Sequence, residues 1–477
     1  MLSASLRWER EQLPPPIALV SNPELPLTQK LPSLGNEWGP RASLAWGGGE
    51  SQWPVLRLGY GMYFGRTQNS ILETALTQTG SLKGDLNFFL RPTDNLNAGG
   101  APPFPYVLAG EPTSVVKPGA VEFAPSFHNA EVHQGEVVVE ETLPGHVLLS
   151  GSALLSLGRR LPVTIDTNFD PTVNPGTITY AVVDGTGKGP IKAAQITVPF
   201  FASWPSPLSP TGLGGRLNPH YQQITEIMSS ANSTYEAAML RVSRSGRKGL
   251  SFQMRYAYAH AMDWNPNESS QVSGSEVLDP NDLSQEYGTS NLDVRHSAST
   301  MVIWQAPWRL RNLGGWLGNG WMLSGTGHFR TGLPYSMHTA GSIPEEFETS
   351  GAMIVGLGPG MNGYGGANRV YGVGRNTYRY PSTWKADVRL GRKIKMGDTR
   401  ELQLMAESFN LFNHQNVTQI ETTGYSIQSG SRTGAFPTLN FLTGLKTGQV
   451  EFGQPLNINA TDFFRARQID FGMRMTF

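Results

Sequence analysis

The sequence predicts an all-β fold, an antiparallel up-and-down transmembrane β-barrel with about twelve strands in this chain. Three observations predict it. The first is residues 465–477, where Ile469, Phe471, Met473, Met475 and Phe477 alternate with Gln468, Asp470, Gly472, Arg474 and Thr476. A two-residue period with one wholly apolar face suits a strand whose two sides meet different solvents. The stretch is also long enough for a tilted strand crossing a bilayer, which needs roughly nine to eleven residues. Taken alone, it fits the edge of a soluble sandwich equally well. The second observation is that links between such stretches alternate short and long along the whole chain. The third is that charged side chains fall opposite the apolar faces throughout.

The candidate strands follow in order. Residues 2–8 set Leu2, Ala4, Leu6 and Trp8 against Ser3, Ser5 and Arg7. Residues 41–47 form a short strand, and 55–64 place Leu56, Leu58, Tyr60, Met62 and Phe64 on one face. Residues 133–142 alternate more weakly. Residues 147–157 gather Val147, Leu149, Ala153, Leu155 and Leu157, and 235–243 come next. In 250–262, Leu250, Phe252, Met254, Tyr256 and Tyr258 oppose Ser251, Gln253, Arg255, Ala257 and Ala259. Residues 291–306, 321–329, 384–395 and 401–412 continue the series, and the terminal stretch completes twelve.

Short links fall at 48–54, 143–146, 244–249, 307–320 and 396–400; long ones fall at 10–40, 65–132, 158–234, 263–290, 331–383 and 413–464. In a meander every second link lies at the same end. One end therefore carries tight turns and the other large loops, the asymmetry of outer-membrane barrels with short periplasmic turns and long external loops. The inward set is Arg57, Arg241, Arg255, Asp293, Arg295, Lys385, Asp387, Arg389, Asp470 and Arg474. In a barrel these line a wet lumen, and the apolar face meets lipid, where a charge is costly. Trp8, Trp304, Trp321 and Trp384 stand near strand ends, at the level of interfacial girdles. Arg392 breaks the pattern on the lipid side, where closeness to a turn lets it snorkel to the headgroups.

Composition agrees with this reading. Lys+Arg and Asp+Glu are 37 each among 477 residues, which gives no reason to expect a nucleic-acid partner. Without cysteine there is no disulfide scaffold or thiol chemistry. No run of eighteen apolar residues exists, so helical spans are excluded, a test that barrel strands escape. Met1 to Trp8 has no signal-peptide pattern and reads as a strand already under way. An exported protein with this sequence would therefore begin upstream of Met1.

Several segments resemble a known family. Residues 249–260 (GLSFQMRYAYAH) and 286–296 (EYGTSNLDVRH) are similar to strands of TonB-dependent outer-membrane receptors, in particular the Oar-like group. Residues 406–414 (AESFNLFNH) resemble that family's penultimate-strand signature, and 55–66 its Arg-x-Gly-Tyr-Gly segment. The resemblance implies a twenty-two-stranded barrel behind an amino-terminal plug, of which residues 1–477 would be the carboxy-terminal portion. It implies that Phe471, Met473, Met475 and Phe477 form the signal read by the barrel-assembly machinery. It also implies outer-membrane lipid as a partner, with the TonB complex engaged only through a plug outside this sequence.

No catalytic, cofactor or metal motif is recognisable. Asp279 and Asp282, with Asp263 and Glu286 nearby, are an oxygen-rich group without the spacing or glycine of an EF-type calcium loop. The long loops, about 65–132, 158–234, 332–383 and 413–464, are the expected place of recognition. Phe104, Tyr106, Phe200 and Trp204 could stack on a carbohydrate or peptide. The competing reading is that such aromatics pack the loops together. Residues 191–201 are expected to pair as a hairpin with 177–183. The expected function is an outer-membrane receptor that binds an extracellular solute and passes it inward. The alternatives are a self-contained twelve-stranded porin or adhesin, and a secreted β-rich glycan-binding protein.

Overall fold

The computed structural model describes residues 1–47, 54–88, 117–169, 176–206, 209–214, 216–246, 249–264, 277–308, 310–311, 317–341, 347–349, 352–356, 360–397, 400–428, 437–444 and 450–477. Twelve strands make one antiparallel sheet in which each pairs with the next in sequence. They are β1 Leu2–Glu11, β2 Leu34–Trp46, β3 Val55–Phe64, β4 Glu131–Leu143, β5 Val147–Asp166 and β6 Gln223–Arg244. The series continues with β7 Leu250–Asp263, β8 His296–Gln305, β9 Trp321–Arg330, β10 Thr383–Lys395, β11 Glu401–Phe409 and β12 Gln468–Thr476. Every expected strand is present. β2 begins earlier than expected, and β8, β11 and β12 are shorter.

The register carries the alternation around the sheet. Trp46, Leu56, Val139, Gly151, Leu240, Tyr256, Ala298, Phe329 and Trp384 are successive cross-strand partners, so they lie on one face. This row starts at the turn end of β2 and finishes at the loop end of β10. Such a climb means the strands are tilted and staggered, as closure into a barrel requires. Leu240 is 46% exposed, Tyr256 42% and Met473 73%, so no protein core covers that face. On the opposite face the row is Val55, Glu140, Ser150, Arg241, Arg255, Ser299, His328 and Lys385. At the turn end the Arg392 guanidinium lies 5.2 Å from the centroid of its cross-strand partner Trp321. A ring quadrupole there favours the cation on an otherwise apolar face.

β5 and β6 run on for 20 and 22 residues, well past the length needed to span a bilayer. Their pairing shifts between Met228 and Ala231 and again between Ala231 and Ser233, and Arg160 is left-handed at φ 56°. Bulges of this kind bend and twist the strand. Beyond them Val163, Ile165 and Ile227 are buried against the loops instead of facing outward. The clustered buried residues lie in this projecting hairpin and the long links. One link holds an unexpected helix, Asn69–Thr77, which buries Ile71 and Ala75, one turn apart, against Phe123, Phe127 and Ile227.

Candidate functional site

The long links fold into a body over one end of the sheet. Strands Gly176–Val183 and Gln195–Phe200 pair as the expected hairpin. They join Thr438–Phe441, Thr423–Gln428 and His338–Ala340 in a five-stranded sheet drawn from three different links. A core of Tyr180, Val198, Met337, Val370, Tyr425 and Leu439 holds it together. Phe200 is buried in that core at 6% exposed, and its neighbour Phe201 is fully buried in another. This corrects the expectation that Phe200 offers a recognition surface: on this two-period strand it faces the sheet's own packing. Phe104 and Tyr106 lie outside the described residues. Of Trp204 only the backbone is described, in strand Ala202–Ser206.

Three arginines of the link before β10 fasten it to the end of β7 and to the link before β8. Arg369 pairs with Glu286, Arg375 with Asp263 and Arg379 with Asp293. Glu286 and Asp263 are thus engaged by guanidinium groups rather than grouped with Asp279 and Asp282 around a common centre. Asp293 is 1% exposed. Burial raises its pKa, but the Ala261 N–H at 2.7 Å, Arg379 and His260 outweigh this and hold the carboxyl below its ordinary value. Arg295 lies 3.8 Å from Asp293, and its Nη2 is 2.8 Å from His260 Nδ1. The expectation of Asp293 as a water-facing lumen charge is therefore corrected: it is a dry hub where loop meets wall.

The other expected lumen charges share the inward face of the sheet. Arg57 pairs with Glu140, and Arg389 with Glu407. Lys385 lies 3.1 Å from Asp387, which also accepts from the Asn410 N–H at 2.9 Å. Arg474 stands opposite Gln403. On the outward face Phe471 is 84% and Phe477 81% exposed, with Met473 and Met475 between them.

Between the inward face and the loop body lies a cavity of about 1320 Å³. Ser152, Arg241, Arg255, Ser299, His328 and Arg330 line it from the wall, and Tyr335, His338, Arg369, Arg375, Phe463 and Phe464 from the loops. Of these, only Arg255 belongs to the lumen residues expected to act, with Arg241 noted beside it; Arg57, Arg389 and Arg474 lie elsewhere. The loop arginines carried no local signal, because their role rests on acids 83 and 112 residues away in sequence. The imidazole of His338 is held below its ordinary pKa, by burial first and then by the charge of Arg369.

The outer membrane beta barrel domain family model matches residues 26–441. A search of curated proteins finds no match. Solved structures similar to the chain include the Escherichia coli outer membrane transporter YddB, at 9% identity and TM-score 0.42, covering 85% of this chain and 40% of that one. The ferric-catecholate import receptor Fiu from E. coli K12 matches at 10% identity and TM-score 0.36, over 93% and 35% of the two chains. The FrpB iron transporter of Neisseria meningitidis matches at 10% identity and TM-score 0.38, over 93% and 40%. The chain thus spans 40% or less of the length of each of these proteins.

Proposed function

This chain belongs to the outer membrane beta barrel domain family, and on that premise we propose that it is the carboxy-terminal portion of an Oar-like TonB-dependent receptor. It binds an extracellular solute beneath the loop body and passes it inward, and it is not an enzyme. The observation that carries this reading is the cavity between loops that fold together and a charged inward wall. A simple pore has no need of loops stapled into one body by buried ion pairs, and a loop-borne adhesin has no need of a chamber beneath. Energised passage would require a plug domain in the full-length product.

The test is to recover the native product from outer membranes with antibodies against residues 1–477 and map its peptides by mass spectrometry. The expected result is one polypeptide that carries these peptides and a plug amino-terminal to them. A product consisting of these residues alone overturns the receptor reading and favours the self-contained porin.

A further inference from the structure

We propose that the loop-capped cavity binds a polyanionic solute, a molecule bearing two or more carboxylate or phosphate groups, held by Arg241 and Arg255 from the wall and Arg375 from the loops. The proposal rests on the receptor reading above and adds the chemical class of the solute.

Charge balance separates this cavity from the rest of the inward face. Elsewhere most cations of the wall have acids beside them: Arg57 has Glu140, Lys385 has Asp387, Arg389 has Glu407 and Lys393 has Glu401. Arg41 lies over the Tyr63 ring, and Arg474 stands opposite Gln403. The residues lining the cavity include five arginines and no aspartate or glutamate. Arg369 and Arg375 bring their own acids, which lie behind them in the loop body. Arg241, Arg255 and Arg330 are not so matched. Among the described residues none of the three is ion-paired; Arg330 donates to Thr383 Oγ1 at 3.2 Å and lies over the Phe464 ring at 5.7 Å.

Arg241 and Arg255 are also direct cross-strand partners. The Gln253 side-chain oxygen accepts from Arg255 Nε and Nη2. A neutral amide does not offset the repulsion of like charges placed opposite one another in a sheet, which something negative lying over both would relieve. An oxyanion does this well, since two guanidinium forks can each give paired hydrogen bonds to it. Arg375 supplies an independent sign. Its side chain is 2% exposed, Nε donates to the Glu286 carbonyl at 2.8 Å and Nη2 to Asp263, yet Nη1 has no acceptor. A buried donor without an acceptor is costly, and Arg375 is among the residues lining the cavity. The volume exceeds the roughly 300–1,000 Å³ of ordinary small-molecule pockets, so it has room for several charged groups on one solute.

The test uses the full native product, purified in detergent and titrated calorimetrically with citrate, with tripolyphosphate and with neutral maltotriose. Citrate and tripolyphosphate are expected to bind saturably, more weakly as salt rises, and maltotriose not to bind. Arg241→Gln and Arg255→Gln should each weaken anion binding about tenfold or more. Arg57→Gln, whose partner Glu140 lies outside the cavity, should leave it unchanged and reports on folding. Equal binding of maltotriose, or anion binding indifferent to both cavity variants, overturns the proposal while the plug peptides still support the receptor. Failure of every probe to bind a properly heat-modifiable barrel also overturns it, and points instead to an acidic protein segment already seated on the arginines. Absence of plug peptides is a separate result and bears on the receptor reading alone.

Discussion

Arg369 Nη2 donates to both carboxylate oxygens of Glu286 at 2.5 Å, joining residues 83 apart in sequence. Glu286 is 0% and Arg369 4% exposed, and Glu286 also accepts from the Leu278 N–H at 2.6 Å. Removing one partner of a buried pair strands the other charge, at about 3–5 kcal/mol, whereas replacing both with apolar residues is often neutral. Arg369→Met should therefore loosen the loop body, seen as faster protease cleavage of residues 277–293 and 360–379 in intact vesicles. Glu286→Leu with Arg369→Met should restore much of the resistance. Heat-modifiable migration should be unchanged in both, because the pair lies outside the wall. Equal cleavage of wild type and Arg369→Met would sink the assignment.

The wall makes a prediction of opposite character. Met254 lies near the middle of β7 on the outward face, 48% exposed, opposite Val242 and Thr300. Gln253 is its inward neighbour. Arginine on the lipid face near the midplane costs about 2–4 kcal/mol, whereas a lumen position accepts it. Met254→Arg should lower the urea midpoint of unfolding in vesicles, and Gln253→Arg should leave it nearly unchanged. Equal midpoints for the two variants would mean that the face assignment is reversed or irrelevant.

These two cases show what could be read in the sequence and what could not. Met254 and Gln253 declare their faces locally, because each wall residue meets lipid or water with a period of two. For the same reason β3 keeps its expected bounds and β7 departs from them by one residue. The pairing of Arg369 with Glu286 has no local trace; it exists only once two separate links fold together. The projecting halves of β5 and β6 were hidden differently. Bulges near Arg160 and Ala231 interrupt the alternation where the strands leave the bilayer and begin packing Val163, Ile165 and Ile227 against the loops. Arg255 was visible as an inward charge. That it faces Arg241 without an acid needed the register.

Phe477 follows β12, with Phe471, Met473 and Met475 on the same outward face. None of these side chains is packed in a protein core, so deleting Phe477 should cost the folded wall little. Its expected effect is on assembly. Less protein should reach the outer membrane in cells, while the fraction that does should unfold at the wild-type midpoint. The check is the amount of heat-modifiable barrel per cell, beside Phe123→Leu as a core control that lowers loop stability instead. Undiminished assembly of the shortened chain would remove the terminal aromatic from the assembly signal.

Glu122, in the extramembrane strand Pro118–Phe123, stands opposite Glu226 in a parallel pairing with the projecting part of β6. Burial, and then the charge of Glu226, push the Glu122 carboxyl up to about 7; burial also raises Glu226. In the unfolded chain a glutamate releases its proton near about 4.3. Between these values the folded state holds more protons than the unfolded one, so stability falls as pH rises and levels off above about 7. The loss amounts to at most about 4 kcal/mol. Amide exchange of residues 118–123 and 223–227 should accordingly be slower at pH 5 than at pH 8, once corrected for intrinsic rates. Glu122→Gln, which keeps the shape without the charge, should be protected at pH 8 and lose most of the slope, leaving the smaller contributions of Glu226 and Asp279, which burial also raises. An unaltered slope in that variant would place the titrating group elsewhere.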